Sequence, residues 1–248
     1  MESMDDLNAI LKQFDRAART YEDNSEVQRD IASALANQLM ATCQPPQSVF
    51  ELGCGTGNLT RQLATQYPSA SIIATDASER MLSEAARIVD VEHVQFQPFV
   101  LESQPDLGGH FDLVVSNMTL QWLADLESTL EWLLQQCDQL AFTIPVEGTF
   151  ANWKQAHESA GLEDGVRDFL TDDELLQMVG TYPKNCLEFE DFKVHFDQPI
   201  DFVRNLRLMG GSTPKTNHRP VELKHVFRQF PKGIEITYRI AFVILKSA

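Results

Sequence analysis

The residues able to do chemistry in this 248-residue chain gather between Val49 and Gly57, where the run Val49-Phe50-Glu51-Leu52 breaks into Gly53, Cys54, Gly55, Thr56 and Gly57. Alternate glycines let backbone approach a ligand closely, and a helix-like segment starting near Asn58 offers free N–H groups at its first turn. A buried strand, a tight turn and a helix start in that order describe a nucleotide or nucleoside site. The next apolar run, Ala70 to Thr75, stops at Asp76, 19 residues beyond Gly57. A carboxylate at that strand end can accept hydrogen bonds from both ribose hydroxyls, although a helix-capping Asp would occupy the same place. Glu51 would sit poorly against a pyrophosphate and suits a ligand with a cationic amino group. Together with the lack of a placed acid–base residue, this disfavours a nicotinamide dehydrogenase.

Regular elements must hold these groups. Ile10, Phe14, Ala17, Ala18 and Tyr21 recur at helical spacing, and Val27, Ile31, Ala34, Leu35 and Leu39 resume it after the polar break Glu22-Asp23-Asn24-Ser25. Two helices therefore precede the first strand, as a lid over the site or as padding on one sheet face. From 48 to 144 strands alternate with helices: Ser48–Leu52, Ala70–Thr75, Val94–Gln97, Phe111–Asn117 and Gln139–Ile144 read as strands. The helix beginning at Ala77 carries Met81 on its inner face. This alternation implies an α/β fold with a mostly parallel sheet, helices on both faces and ligands at the carboxyl ends of the strands. Beyond Gly148 the pattern changes. Phe150–Ser159 and Pro199–Met209 read as helices, Thr171 as an N-cap, and Glu190–Phe196 and Ile234–Leu245 as strands that extend the sheet and add a small cap. The expected organisation is a single domain over 1–248, with an N-terminal helical segment at 1–44, a cofactor-binding core at 45–147 and substrate-side helices with the final strands at 148–248.

With 43% hydrophobic and 23% charged residues the composition suits a globular chain, and the acidic start Met1-Glu2-Ser3-Met4-Asp5-Asp6 is unlike a signal peptide. A cytoplasmic location is expected. Cys43, Cys54, Cys137 and Cys186 have neither metal-like nor redox spacing, so no metal site is expected. A net charge of −16 argues against a nucleic-acid backbone as the main partner. One stretch runs against that sign: Lys215, Arg219, Lys224, Arg228 and Lys232 face the single acid Glu222. It is either a solvated face or a landing site for an acidic partner.

Glu51-Leu52-Gly53-Cys54-Gly55-Thr56-Gly57 with Asp76 resembles the cofactor motif of the Rossmann-like class I S-adenosylmethionine-dependent methyltransferases. Three further segments resemble the malonyl-acyl carrier protein methyltransferases of biotin synthesis: Phe14-Asp15-Arg16-Ala17-Ala18 with Tyr21 and Val27-Gln28, Ser116-Asn117 with Gln121-Trp122, and Phe202-Val203-Arg204-Asn205-Leu206-Arg207 with Gly210-Gly211. The resemblance implies S-adenosylmethionine as cofactor, bound by the loop from Glu51 to Gly57, Asp76, Ala77, Met81, Phe99 and Asn117. It implies methylation of the free carboxylate of a malonyl thioester on acyl carrier protein or coenzyme A, with Arg204 as the carboxylate clamp. Arg207, Tyr21 and Gln121 are supporting candidates, Tyr21 and Trp122 being readable as packing too. A carboxylate, with a pKa of about 4, is already a nucleophile at neutral pH, so no catalytic acid or base is expected. A methyltransferase for a small free di- or tricarboxylic acid and a catalytically silent cofactor-binding scaffold are the rival readings. The sequence departs from the family pattern at Gln97-Pro98-Phe99, where an Asp-centred turn for adenine is missing, before the fifth strand at Gln135-Gln136, and at Gly211, where alanine is common.

Overall fold

The computed structural model describes residues 4–101, 104, 106–211 and 223–247. Seven strands form one sheet in the order β3-β2-β1-β4-β5-β7-β6. These are β1 (Ser48–Leu52), β2 (Ser71–Asp76), β3 (Val94–Pro98), β4 (Phe111–Asn117), β5 (Cys137–Pro145), β6 (Lys184–Phe196) and β7 (Ile234–Lys246). The first five run parallel, whereas β7 is antiparallel to both β5 and β6. The order reverses between β1 and β4, and the crevice at such a switch point is where ligands enter doubly wound sheets.

Strand periodicity builds the two covered faces. Val49, Leu113 and Val115 pack toward one side with Leu35 of α2 (Glu26–Thr42), Leu63 of α3 (Asn58–Gln66), Trp153 of α6 (Ala151–Ser159) and Phe202 of α8 (Pro199–Leu208). Phe50, Leu52 and Val114 point the other way, to Leu130 of α5 (Leu126–Leu134) and Leu175 of α7 (Asp172–Val179). α7 starts at a capping box made by Thr171 and Glu174, as its sequence implies.

The N-terminal helix α1 (Met4–Asn24) lies at the open end of the sheet, against α8 and α4 (Glu79–Ile88). Thr20 Oγ1 donates to the Leu208 carbonyl at 2.9 Å, and Asn205 Nδ2 donates to the Asn24 carbonyl at 3.0 Å. Gly210, at φ 77°, allows this approach: a Cβ there would stand 3.0 Å from Phe14 Cα. The α1–α2 break falls at Ser25, within the expected polar segment. α2 buries Ile31, Leu35 and Leu39 completely and mostly covers the sheet face.

β6 is longer than the segment Glu190–Phe196 read from alternation. Its first half, Lys184–Phe189, pairs with Leu245–Ala241 of β7 across a register shift near Lys184. β6 is an edge strand with charged residues on its outer side, so its apolar pattern is weaker than its pairing.

Gly57 is the one loop glycine whose missing side chain serves packing between helices. It caps α3 at φ 89°, and a Cβ would lie 2.9 Å from Val89 Cγ2 and 3.5 Å from Ala85 Cβ. Gly57→Ala should therefore destabilise the protein by about 1–3 kcal/mol, read as a lower urea midpoint with an unchanged slope.

Candidate active site

The carboxyl ends of β1, β2 and β4 converge on the loop from Gly53 to Gly57. Cys54 N–H donates to the Thr75 carbonyl at 2.8 Å, fastening the loop to β2. Asp76 ends β2 and fastens it again: its Oδ2 accepts from Gly55 N–H at 2.9 Å and its Oδ1 from Ser78 N–H at 2.8 Å. A carboxylate has about four lone-pair sites, so each oxygen keeps capacity for a ligand hydroxyl. Burial raises the Asp76 pKa above the usual carboxylate range, with the Ser78 and Gly55 amides working against the rise and Asp15 adding to it. Asp15 also accepts from Ser78 Oγ at 2.5 Å, tying α1 to this corner.

Glu51 is only 1% exposed, and its Oε2 has no hydrogen-bond partner. Burial lifts its pKa to about 7, opposed by the Thr60 hydroxyl and amide and reinforced by the Asp76 charge. Asn58 Oδ1 and Gln28 Oε1 are likewise buried without partners. All three residues line the same inner cavity. A cavity walled by apolar side chains yet holding unpartnered acceptors and two carboxylates is built for a ligand that donates hydrogen bonds and carries positive charge.

Of the residues read from the sequence, Tyr21, Glu51, Gly53, Cys54, Gly55, Asp76, Ala77, Met81, Phe99 and Asn117 line this inner cavity. Phe99 reaches it although the Asp-centred turn is missing, because Phe99 N–H bonds to the Asp76 carbonyl at 3.1 Å and its ring packs edge-on to Phe50. Asn117 is held by the Thr143 hydroxyl, 2.7 Å from Oδ1, and donates to the Gln28 carbonyl at 3.3 Å. Met118 follows it at φ 54°, a left-handed backbone that a non-glycine residue keeps only under tertiary restraint. Gly53 leaves room for Thr119, whose Oγ1 would stand 2.2 Å from a Cβ at that position.

A second, wider cavity of about 1140 Å³ opens outward from the first. The two share Phe14, Tyr21, Gln28, Met118, Trp122 and Leu123, so these residues lie at the boundary where the two cavities adjoin. Tyr21 is half-buried there and its hydroxyl pKa is pushed up, by desolvation first and then by Asp76 and Glu22. Gln121 lines the outer cavity and donates to the Met118 carbonyl at 2.7 Å, its Oε1 remaining buried and unpartnered. Arg207 lines the outer cavity as well.

Two of the residues read from the sequence lie outside both cavity linings. Gly57 does not line either cavity, because its open side faces Val89 and Ala85 of the α4 region. Arg204 does not line either cavity: its side chain is 66% exposed and pairs with Asp201 at 2.9 Å. The reason is helical phase, since α8 turns Val203, Leu206 and Arg207 to the cavity while Arg204 falls on the outer side with Asp201. Sequence reasoning gave no role to Asn58, Gln28 or Tyr238. Asn58 was legible as the first residue of a helix following a glycine loop, but Tyr238 comes from the distant strand β7 and reaches the outer cavity only through the sheet order. Lys215 and Arg219 lie outside the described residues, whereas Lys224, Arg228 and Lys232 are exposed near α9 (Lys224–Phe227). Among the described residues, no cluster of His, Cys, Asp and Glu could hold a metal ion, and no helix is long and apolar enough to cross a membrane.

A sheet with this switch point, a carboxylate-braced glycine loop and an inner cavity fitted to a cationic nucleoside define a class I S-adenosylmethionine-dependent methyltransferase. A methyltransferase-domain family model matches residues 50–140. The Synechocystis magnesium protoporphyrin IX methyltransferase, solved with S-adenosylhomocysteine, shares the fold at a TM-score of 0.58 and 17% identity, over 95% of this chain and 94% of its own. The malonyl-[acyl-carrier protein] O-methyltransferase of Magnetococcus marinus is 31% identical over 242 residues, covering 93% of this chain and 89% of that protein. This chain belongs to the malonyl-[acyl-carrier protein] O-methyltransferase family. It is also 30% identical to the biotin biosynthesis bifunctional protein BioCD of Bordetella avium over 94% of its length, and spans about half (51%) of that longer protein.

The Glu51 carboxylate gives a pH signature. Its folded-state pKa of about 7 exceeds the ordinary 4.5, so its contribution to stability is full below pH 4.5 and is lost as pH rises through 7. Relative to Glu51→Gln, the ligand-free protein should lose about 3 kcal/mol of stability between about pH 4 and pH 8, measured by urea denaturation. S-adenosylmethionine affinity should fall below pH 7 in the parent protein, as Glu51 protonates, and stay flat in the variant.

Proposed function

We propose that this chain transfers a methyl group from S-adenosylmethionine to the free carboxylate of a malonyl thioester, giving the methyl ester that biotin synthesis uses, with acyl carrier protein as the preferred carrier. The observation that carries this reading is the joined pair of cavities: an inner one fitted to a cationic nucleoside, and a wide outer one whose lining includes arginine. The family relationship supplies the acceptor, since the relative covering nearly the same length is named for malonyl-acyl carrier protein.

Bound S-adenosylmethionine supplies a methyl group already activated on a positively charged sulfur. Glu51 would take the amino group, where its unpartnered Oε2 gains both a hydrogen bond and a compensating charge. Asp76 would accept from the ribose hydroxyls, Phe99 and Met81 would flank the base, and Ala77 and Asn117 would close the wall between them. Gly53, Cys54 and Gly55 bring main chain against the ligand. Tyr21, Trp122 and Phe14 form the passage through which the acceptor oxygen must come, and they exclude water from it. Gln121, fixed by its bond to the Met118 carbonyl, presents a buried amide beside that passage.

The chain need not supply a general base, because the acceptor carboxylate is ionised at neutral pH. Its task is alignment of the attacking oxygen with the methyl group and the departing sulfur. Docking of the carrier falls naturally to exposed Lys224, Arg228 and Lys232, with Lys215 and Arg219 of the same basic stretch, because an acidic partner meets local positive charge on an otherwise acidic chain. Coenzyme A would deliver the same malonyl group without that contact.

Methyl transfer from labelled S-adenosylmethionine, compared over malonyl-acyl carrier protein, malonyl-coenzyme A, free malonate and a small tricarboxylate, tests the assignment. The carrier-bound malonyl group should give the highest kcat/KM, and reversing the charge of Lys224 and Arg228 should lower it for that acceptor alone. A preference for a free diacid would overturn the acceptor, and cofactor binding without turnover would overturn the enzymatic reading. Asp76→Ala should weaken cofactor binding about 10- to 100-fold, the loss of one or two charge-assisted hydrogen bonds.

A further inference from the structure

With Arg204 turned to solvent, the acceptor's carboxylate needs donors where the two cavities adjoin. Two tyrosines from opposite ends of the chain are brought there. Tyr21 of α1 lines both cavities, and its ring reaches over the glycine loop, where a Cβ on Gly55 would lie 3.9 Å from Tyr21 Cε1. Tyr238 of β7 lines the outer cavity alone and is 4% exposed. Sheet register explains its arrival. β7 runs antiparallel to β5 and pairs Ile240 with Pro145, the last residue of β5, so Tyr238 lies beyond the carboxyl end of that strand, where the parallel strands present their ligands. Phe150 then holds it: the two rings meet edge-on at 4.9 Å, and Phe150 N–H donates to the neighbouring Thr237 carbonyl at 2.8 Å. The two hydroxyls are close enough to interact, since Tyr21 adds to the rise that burial imposes on the Tyr238 pKa.

We propose that the Tyr238 hydroxyl, together with that of Tyr21, donates the hydrogen bonds that hold the acceptor's carboxylate, deepening the malonyl reading on which it rests. Both phenols titrate above their ordinary range, so each keeps its proton at neutral pH and can donate it. A hydrogen bond to an ionised acceptor is about twice as strong as one between neutral groups, which gives the pair its grip on an acid. A carboxylate has about four lone-pair sites, so two donors leave the attacking oxygen a pair for the methyl group. Neutral donors also draw less charge from that oxygen than a guanidinium fork does, and the nucleophile is not blunted by being bound. The methyl ester product carries no charge for the phenols to meet, so the same contacts favour the substrate over the product. Because Tyr21 lines both cavities, an oxygen held between the two hydroxyls stands at the entrance to the inner cavity, beside the cofactor loop.

The test titrates malonyl-pantetheine and its methyl ester into the full chain saturated with S-adenosylhomocysteine, for the parent, Tyr238→Phe, Tyr21→Phe, the double variant and Arg207→Gln. Tyr238→Phe keeps the ring against Phe150 and removes only the donor. It should weaken malonyl-pantetheine about 10-fold and leave the methyl ester within about twofold. S-adenosylhomocysteine affinity should be unchanged in this variant, because Tyr238 does not line the inner cavity, and it serves as the control for folding. The double variant should lose about 100-fold for the acid, and in turnover Tyr238→Phe should raise KM about 10-fold with kcat within about twofold. The assignment is overturned by unchanged malonyl-pantetheine binding in Tyr238→Phe, by equal losses for the acid and its ester, or by a loss confined to Arg207→Gln. If the parent binds free malonate but not malonyl-pantetheine, and Tyr238→Phe weakens that binding, the thioester reading fails and the role of Tyr238 stands. If the parent binds neither, or Tyr238→Phe leaves malonate binding unchanged, both fail.

Discussion

The site depends on two carboxylates kept in a place that opposes their charge. Asp76 ends β2 and Glu51 stands one residue before the end of the neighbouring parallel strand β1; Glu51 is buried, Asp76 half-buried, and the Asp76 charge adds to the rise of the Glu51 pKa. Asp76 is partly compensated because it accepts the Gly55 and Ser78 amides. Glu51 is compensated only through Thr60, and an acid left with one unpartnered buried oxygen is costly to the empty fold. A ligand with a cationic group relieves that cost on arrival, so the strain in the empty protein becomes affinity for the charged form of the cofactor.

The rest of the architecture can be read as support for that pair. Parallel register between β1 and β2 sets Glu51 opposite Ala74 and Leu52 opposite Thr75, which brings Asp76 just beyond the loop. The glycines then divide their work. Gly53 and Gly55 bring main chain to the cavity, whereas Gly57 lets α3 start hard against α4. α1 closes the open end by lending Phe14 and Tyr21 to the passage, and α8 anchors it through Asn205 and the Leu208 carbonyl. The N-terminal helices thus have separate tasks: α1 builds the site, and α2, apart from Gln28, builds the core.

Substrate selection lies on the other side of the passage, on elements that follow the nucleoside-binding half. The outer cavity takes residues from α6, α8, β7 and the segment before α7, and it is in these parts that a general methyltransferase sheet can be fitted to a particular acceptor. A wide cavity suits an acyl group presented on a long flexible arm.

Much of this was legible in the sequence because it rests on local rules. The Val49–Gly57 run, the acid 19 residues on, the strand–helix alternation and the Thr171 capping box depend on periodicity, glycine conformation and short-range hydrogen bonds, and they determined the fold class and the inner cavity. Tertiary structure decided what depends on phase and distance. Arg204 and Arg207 are three residues apart on one helix, yet only the orientation of α8 against the sheet turns Arg207 inward and Arg204 outward. The extension of β6 came from pairing with β7 and not from its own alternation. Arg167 meets Trp122 across 45 residues of chain, a contact no spacing rule encodes, because side chains brought together by long-range packing have no fixed separation in sequence.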